Sequence, residues 1–283
     1  MPIVVFPTSQ LLWVRVAAVL FTCVTFSVEA HGAGLTHVGM ADWCIFCWVF
    51  SFACSLLVLL VEQCSLQARI PVSWTNFPIT IASYAALLCF SASIIFPVYF
   101  LKNQTLPYEV RDHRIASTVF SCLATVAYMW EVSLTKARPG EVAGYMATAP
   151  GLMKVCQTFV ACIIFILVSN LVSYNQHAAL KWCLAVYCIC FILSMAIVVL
   201  CVGEFTNCLP IPFSKFLSAY GLLAVIMYLT ATIVWPVFQF SKTYQGSVNN
   251  STNPIAVAVF TALNFLLYLA DLAYSARLVF VSV

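Results

Sequence analysis

The chain has 283 residues, of which 64% are hydrophobic and only 7% are charged, and its formal net charge is +3. Soluble domains carry about one-quarter charged residues, so this composition excludes an ordinary soluble protein and indicates one built for lipid. No basic run or basic-aromatic patch occurs, which argues against nucleic acid and leaves the lipid bilayer as the first partner to expect.

Eight apolar stretches are long enough to cross a bilayer, which takes about 20 residues each. The first could be misread as a signal peptide, but no Lys or Arg precedes Leu11, and this helix has a counterpart later in the chain, so we expect it to be retained. We predict an all-α, polytopic membrane protein with eight transmembrane helices near 11–30, 42–62, 78–101, 115–135, 151–170, 180–202, 214–239 and 254–276.

The second half of the chain repeats the first. Residues 115–131 (IASTVFSCLATVAYMWE) align without a gap with 255–271 (IAVAVFTALNFLLYLAD), and 91–99 (SASIIFPVY) align with 230–238 (TATIVWPVF). An internal repeat of this size determines the architecture, because each copy is one folding unit. The predicted units are two tandem four-helix bundles and the segment between them: 1–136, the linker 137–150, and 151–283.

The distribution of basic residues suggests the orientation. Lys and Arg favour the cytoplasmic side, and a cytoplasmic N-terminus places seven of them inside and five outside. The even number of helices then puts both termini in the cytoplasm. N-glycosylation acceptor patterns at Asn103 and Asn250 fall in outer loops in this topology. Glu29 and Asp42 lie at the outer ends of helices 1 and 2, where we expect solvated side chains.

Ionisable residues within a membrane helix are costly and therefore suggest a functional hypothesis. The repeat arranges six of them in equivalent pairs near the predicted cytoplasmic ends: Arg15 with Lys154, Glu62 with Glu204, and Glu131 with Asp271. We expect each unit to hold a cluster of one cation and two acids that clasps its helices. A proton or ion relay is the alternative. Helices 3 and 7 carry no charge across the bilayer, which favours the clasp.

The cysteines and small residues have structural explanations. Most of the 14 cysteines lie inside helices, and the CxxC at Cys44 and Cys47 has no His or second pair nearby, so we expect no metal, cofactor or catalytic residue. Cys64 and Cys208 follow the cytoplasmic ends of helices 2 and 6, where S-acylation is feasible. Small residues on one face of helix 3, around Ala82, are expected to pack inside the bundle, with a homo- or hetero-oligomer face as the alternative.

Four strings carry a resemblance to a known family: 66–80 (LQARIPVSWTNFPIT), 91–99 (SASIIFPVY), 137–165 (ARPGEVAGYMATAPGLMKVCQTFVACIIF) and 269–281 (LADLAYSARLVFV). They resemble the myeloid-associated differentiation marker family. The resemblance implies two MARVEL domains, each a four-helix membrane unit. It also implies association with cholesterol-rich membrane rafts, vesicle traffic and cell junctions, and a role in cell migration through Rac-type signalling. The plasma membrane or secretory vesicles are then the expected location.

We therefore predict a non-enzymatic membrane organiser. Its lipid-facing surface would sort it into cholesterol-rich membrane, and the segment 136–150 would recruit protein partners, with Lys136, Arg138 and Tyr145 as candidate contacts. A linker that only spaces the two units is the alternative reading of that segment. The alternative function is a small-solute or ion transporter or channel, which requires a polar path that the sequence does not show.

Overall fold

The computed structural model describes residues 10–32, 39–101, 107–138, 144–169, 177–208, 212–240 and 253–281. Within these ranges the chain forms eight long helices: α1 (Gln10–Gly32), α2 (Met40–Gln63), α3 (Phe77–Phe100), α4 (Tyr108–Thr135), α5 (Ala149–Ser169), α6 (Ala178–Val202), α7 (Phe213–Gln239) and α8 (Asn253–Val281). Single 3₁₀ turns occur at Gln67–Arg69, Tyr145–Ala147 and Phe205–Cys208.

All eight helices are long and apolar enough to cross a membrane, which confirms the predicted all-α architecture. The main difference is at α4, which begins at Tyr108 rather than at 115. Residues 108–114 are mostly polar, so hydropathy does not mark them. Pro107 directly precedes the helix, and Glu109 in the first turn has the charge that a helix N-terminus favours. The helix therefore extends beyond its apolar part at this end.

The chain divides into two compact units, Met1–Ala147 and Thr148–Val283. In unit 1, α1 packs on α2 and α4, and α3 packs on the same two helices, so four antiparallel helices close a ring. In unit 2, α5 to α8 pack in the same cyclic order. Each unit is thus an up-down-up-down bundle in which every helix contacts its two sequence or ring neighbours.

The two faces of the helices differ as a membrane requires. Small residues of α3, including Ala82, Ala85 and Ala92, are buried and allow close approach of the neighbouring helices, because lipid supplies no hydrophobic drive for helix association. Large apolar side chains project outward from every helix, for example Leu20, Leu57, Phe90, Val126, Ile166, Ile192, Ile226 and Val259. These exposed side chains form the surface that would face lipid.

Candidate functional site

Three charged side chains from three helices meet where α1 begins, which we call the Arg15 end of unit 1. Arg15 is 4% exposed, and its Nε donates a hydrogen bond to Glu131 Oε1 on α4 at 2.6 Å. Its Nη1 donates to Glu62 Oε2 in the last turn of α2. The indole N–H of Trp74, in the α2–α3 connection, donates to the other oxygen of Glu62 at 3.3 Å. The structure thus brings together the cation and both acids expected in this unit.

The equivalent position in unit 2, the Lys154 end, holds a different set. Lys154 is 1% exposed and its Nζ donates to Asp271 Oδ2 on α8 at 2.6 Å. It also donates to Gln157 Oε1 at 3.1 Å, and Gln157 Nε2 donates to the same carboxylate at 3.2 Å. The rings of Tyr220 and Tyr268 lie 4.7 and 5.2 Å from Nζ, within cation–π range.

Glu204, expected beside Lys154, is instead exposed in the turn after α6. Glu62 lies inside the last turn of α2, whereas α6 ends at Val202, two residues before Glu204. The backbone of Glu204 has a φ of 59°, so the side chain of Glu204 leaves the bundle. Gln157 takes the second position beside the lysine. The sequence signal for it is its spacing of three residues from Lys154, which places both on one face of α5.

Below these end clusters, the two bundles repeat the same side-chain contacts between equivalent residues. In unit 1, Trp48 Nε1 donates to Ser121 Oγ at 2.9 Å, and Ser55 Oγ donates to Tyr128 OH at 2.9 Å. The counterparts in unit 2 are Tyr187 OH with Thr261 Oγ1 at 2.8 Å, and Ser194 Oγ with Tyr268 OH at 2.9 Å. Edge-to-face phenylalanine pairs also recur: Phe26 with Phe52, and Phe165 with Phe191. The repeat therefore preserves contacts as well as helices.

Unit 2 has additional neutral polar side chains in its core that sequence reasoning missed. Tyr220 OH is 2.7 Å from Ser194 Oγ, and Asn264 Nδ2 donates to Tyr228 OH at 2.8 Å. Five rings follow one another with centroids 5.0 to 6.4 Å apart: Tyr220, Tyr268, Tyr228, Tyr187 and Trp235. At the positions of Tyr220, Tyr228 and Asn264, the repeat gives unit 1 Ile81, Cys89 and Ala124. Only a structure shows that these residues align into one column.

Glu29 departs from the expectation of a solvated acid. Its side chain is 5% exposed, and in the described part of the chain neither carboxylate oxygen has a hydrogen-bond partner. Ser117 Oγ on α4 is buried and likewise without a partner there, and Arg114, one turn earlier, donates to the carbonyl of Phe100 at 2.8 Å. The equivalents of Glu29 and Ser117 in unit 2 are the buried valines 168 and 257. This polar pocket is therefore particular to unit 1.

The segment 136–150 is only partly exposed. Lys136 and Arg138 are exposed, and Tyr145 is half-buried. Met146 is fully buried and its backbone N–H donates to Asn76 Oδ1 at 3.0 Å, while the N–H of Ala137 donates to the carbonyl of Ala147 at 2.9 Å. The 3₁₀ turn at Tyr145–Ala147 is thus docked on the start of α3. Residues 139–143 lie outside the described part of the chain.

The remaining predicted sites are placed only in part. Cys64 is exposed just after α2. Cys208 ends a 3₁₀ turn, but its side chain lies outside the described residues, as do Asn103 and Asn250. Cys44 and Cys47 are fully buried, and across the described ranges no group of three or more His, Cys, Asp or Glu side chains is arranged to hold a metal ion.

Comparisons with known proteins give a consistent result. The family model of the MARVEL membrane-associating domain matches residues 145–274. The chain is 52% identical to the myeloid-associated differentiation marker homolog of Xenopus laevis, over 95% of this chain and 92% of that protein. It is 49% identical to the human myeloid-associated differentiation marker, over 98% and 90%, and 41% identical to the human myeloid-associated differentiation marker-like protein 2, over 97% and 93%. No solved structure matches.

Proposed function

Since the chain belongs to the myeloid-associated differentiation marker family, we propose that it is a non-enzymatic organiser of cholesterol-rich membrane domains. In this role it links such domains to vesicle traffic, cell junctions or the actin cortex through Rac-type signalling. The chain is a multi-pass membrane protein with a MARVEL domain in its second half, and the family is one of membrane-associating proteins.

The observation that carries the proposal is the division of side chains between surface and interior. Large apolar groups face outward on all eight helices. At the bundle ends, Arg15 is buried against its two acids in unit 1, and Lys154 is buried against Asp271 in unit 2. Such a protein interacts with its surroundings mainly through a lipid-facing surface of fixed shape. Its action is therefore lateral, through the lipids and proteins that this surface favours.

Helix length supports sorting into thick membrane. α3 has 24 residues and no charged side chain, so at a rise of about 1.5 Å per residue its apolar length is about 36 Å. Sterol-rich plasma membrane has a hydrocarbon thickness of about 32 Å, and the endoplasmic reticulum about 27 Å. The thicker bilayer accommodates α3 with a modest tilt, whereas the thinner one leaves a mismatch that costs free energy.

The charged clusters serve in this proposal as clasps rather than as chemical sites. In each unit a buried cation on the first helix binds an acid on the fourth: Arg15 with Glu131, and Lys154 with Asp271. A feature that occurs at the same place in both copies is explained by what each bundle needs to hold its helices together. Protein partners would contact the exposed parts of segment 136–150, at Lys136 and Arg138, and Tyr145 at its docked turn.

Phase partition tests the lipid part of this function. The full-length protein with a fluorescent tag is expressed in cells, and giant plasma-membrane vesicles are cooled until ordered and disordered phases separate. We expect enrichment in the ordered phase and its loss after sterol extraction. Proximity labelling in intact cells, with and without sterol extraction, tests the link to traffic, junction or cortical proteins. Equal distribution between the phases in both conditions would contradict the organiser function.

One observation favours the alternative of a small-solute or ion transporter. The neutral polar side chains of unit 2 continue from Lys154 through Tyr268 and Asn264 toward Thr261. Their hydrogen bonds, however, close within small groups, such as Ser194 with Tyr220 and Tyr268, which fits a packed core. Flux of protons or small cations into proteoliposomes, abolished by Asp271→Asn, would support transport. Flux equal to that of protein-free vesicles would exclude it.

A further inference from the structure

The exposed charges at the Arg15 end of unit 1 have a single sign. Arg69, Lys136 and Arg138 are exposed there, whereas the acids Glu62 and Glu131 are turned inward and bound by Arg15. Among the described residues of this end, every exposed charged side chain is therefore cationic. Glu141, the remaining charged residue of the connection to unit 2, lies outside the described part of the chain.

Among the described side chains, none of the other bundle ends exposes three cations without an acid, and the opposite end of unit 2 exposes a single one, Lys181. At the opposite end of unit 1 the exposed charges are three acids and one base: Asp42, Glu109, Asp112 and Arg111. At the Lys154 end of unit 2, exposed Glu204 offsets exposed Lys215 among the described side chains, and the side chain of Arg277 lies outside them. Among the described side chains, a group of three exposed cations without an exposed acid thus occurs at the Arg15 end of unit 1, and unit 2 shows no equivalent group there.

The docked 3₁₀ turn holds these cations close to the helix ends. Lys136 directly follows α4, and the backbone of Ala137, between Lys136 and Arg138, is bound to Ala147. Met146 in turn is bound to Asn76, which belongs to the same α2–α3 connection as Arg69. The two connections that carry the three cations are therefore joined through one turn.

Trp74 indicates the depth of this surface. Its ring is half-buried in the α2–α3 connection, and its indole N–H is bound to Glu62 at the end of α2. Tryptophan side chains in this position lie at the level of lipid headgroups. Arg69, five residues before Trp74 in the chain, would therefore lie near the phosphates of the adjacent leaflet, and the docked turn keeps Lys136 and Arg138 at the same bundle end.

We propose that Arg69, Lys136 and Arg138 form a binding face for the headgroups of anionic phospholipids, which we call the basic face. Guanidinium and ammonium groups form charge-assisted hydrogen bonds with phosphate and carboxylate oxygens, and an anionic leaflet attracts basic residues at its surface. Lipid is favoured over an acidic protein segment because the cations adjoin the helix ends at headgroup level. The inference deepens the proposed function by naming the class of lipid that this end recruits.

Native mass spectrometry of the purified full-length protein in detergent tests the basic face. The protein is titrated with short-chain phosphatidylserine and, in parallel, with short-chain phosphatidylcholine. The variant Arg69→Gln/Lys136→Gln/Arg138→Gln is compared with the control Arg111→Gln/Lys181→Gln/Lys215→Gln, which removes the same charge from exposed positions elsewhere. Thermal unfolding of each variant confirms that it is folded.

We expect wild type and control to prefer phosphatidylserine, with a preference that weakens as salt is raised. Each neutralised residue of the basic face should weaken phosphatidylserine binding about fivefold, and all three together on the order of a hundredfold. Phosphatidylcholine binding should not change. The inference is overturned if the basic-face variant keeps its preference for phosphatidylserine. Loss of an acidic protein partner in cells by that variant would not rescue it. The inference is also overturned if the control variant loses the preference equally.

Phase partition of the same variants separates this inference from the proposed function. Because ordered-phase sorting depends on helix length and apolar surface, the basic-face variant should partition like wild type. If the basic-face variant loses the preference for phosphatidylserine but is enriched in the ordered phase like wild type, both the basic face and the organiser function are supported. Absence of any ordered-phase enrichment in wild type contradicts the organiser function and leaves the lipid titration to decide the basic face alone.

Discussion

Reversal of the charges that join α1 to α4 is the most direct test of the clasp. Arg15 and Glu131 are both nearly fully buried, with 2.6 Å between Nε and Oε1. Removing one partner of such a pair leaves an uncompensated charge and costs about 3–5 kcal/mol, and reversing it costs at least as much. The single variants Arg15→Glu and Glu131→Arg should therefore be strongly destabilised, against a total stability of about 5–15 kcal/mol.

The double variant Arg15→Glu/Glu131→Arg restores an opposite pair between α1 and α4. Recovery should be incomplete, because the new Glu at position 15 then faces Glu62, whose side chain is 17% exposed and partly screened by solvent. We expect the double variant to regain at least half of the free energy of unfolding lost by the more stable single variant. The measurement is thermal unfolding of the purified protein in nanodiscs, monitored by size-exclusion chromatography of the heated samples.

Neutral substitutions provide a milder series in case the reversals do not fold. Arg15→Gln leaves two acids without their cation, Glu131→Gln leaves Arg15 with one acid, and Glu62→Gln removes the more solvated acid. The loss of stability should decrease in that order. Glu204→Gln, at an exposed acid outside any cluster, is the control and should change stability by about 0.5 kcal/mol or less. A double reversal no more stable than the singles, together with a flat neutral series, would refute the pairing.

Three further predictions follow from single contacts. Glu29→Gln should leave stability unchanged or raise it by about 1 kcal/mol, because burial of a carboxylate that accepts no hydrogen bond in the described chain outweighs its attraction to Arg114 and His113. Glu109→Gln at an exposed acid is the matched control. A clear loss in thermal unfolding would mean that Glu29 is bound. Gly144→Ala should cost about 1–3 kcal/mol, since the added Cβ would lie 2.1 Å from Asn76 Oδ1 and break its bond to Met146. Gly221→Ala inside α7, whose added Cβ would make an ordinary 3.4 Å contact with Leu272 Cδ1, is its control, and equal proteolysis of both variants near residue 145 would argue against the docked turn. Cys64→Ser/Cys208→Ser should lose the acyl-biotin exchange signal while Cys122→Ser keeps it, and an unchanged signal in the double variant would exclude both sites.

The sequence is informative where one physical rule governs the pattern. Lipid requires about 20 apolar residues per span, so the eight helices were predictable, and the repeat showed that Arg15 and Glu131 occupy equivalent places to Lys154 and Asp271. Hydropathy does not detect polar helix ends, because it marks only apolar segments. The start of α4 at Tyr108 was missed for this reason. Hydropathy also does not detect the rotation of a helix about its axis, which buries Glu29 and leaves Asp42 exposed.

Backbone geometry explains the other differences. The expectation for Glu204 came from the repeat, which pairs it with Glu62, but the chain turns at Glu204 itself, whose φ is 59°. The docking of residues 144–147 depends on a close approach to Asn76 that a glycine permits, and nothing in local composition distinguishes such a turn from an open linker. Gln157 lay within reach of sequence reasoning, because its spacing from Lys154 places it on the same face.

Comparison of the two units separates the scaffold from what is added to it. The cation–acid pair between first and fourth helices, the two interior hydrogen bonds and the phenylalanine pair occur in both, so they are explained by the needs of a four-helix membrane bundle. The buried Glu29, the docked turn and the basic face belong to unit 1, and the column of five adjacent aromatic rings belongs to unit 2. Variants of the shared set should therefore lower stability, whereas variants of the basic face should change lipid preference while stability is retained. The two units thus share one scaffold and differ at their ends. In the proposed function the lipid-facing helices select ordered membrane, and the basic face selects anionic headgroups.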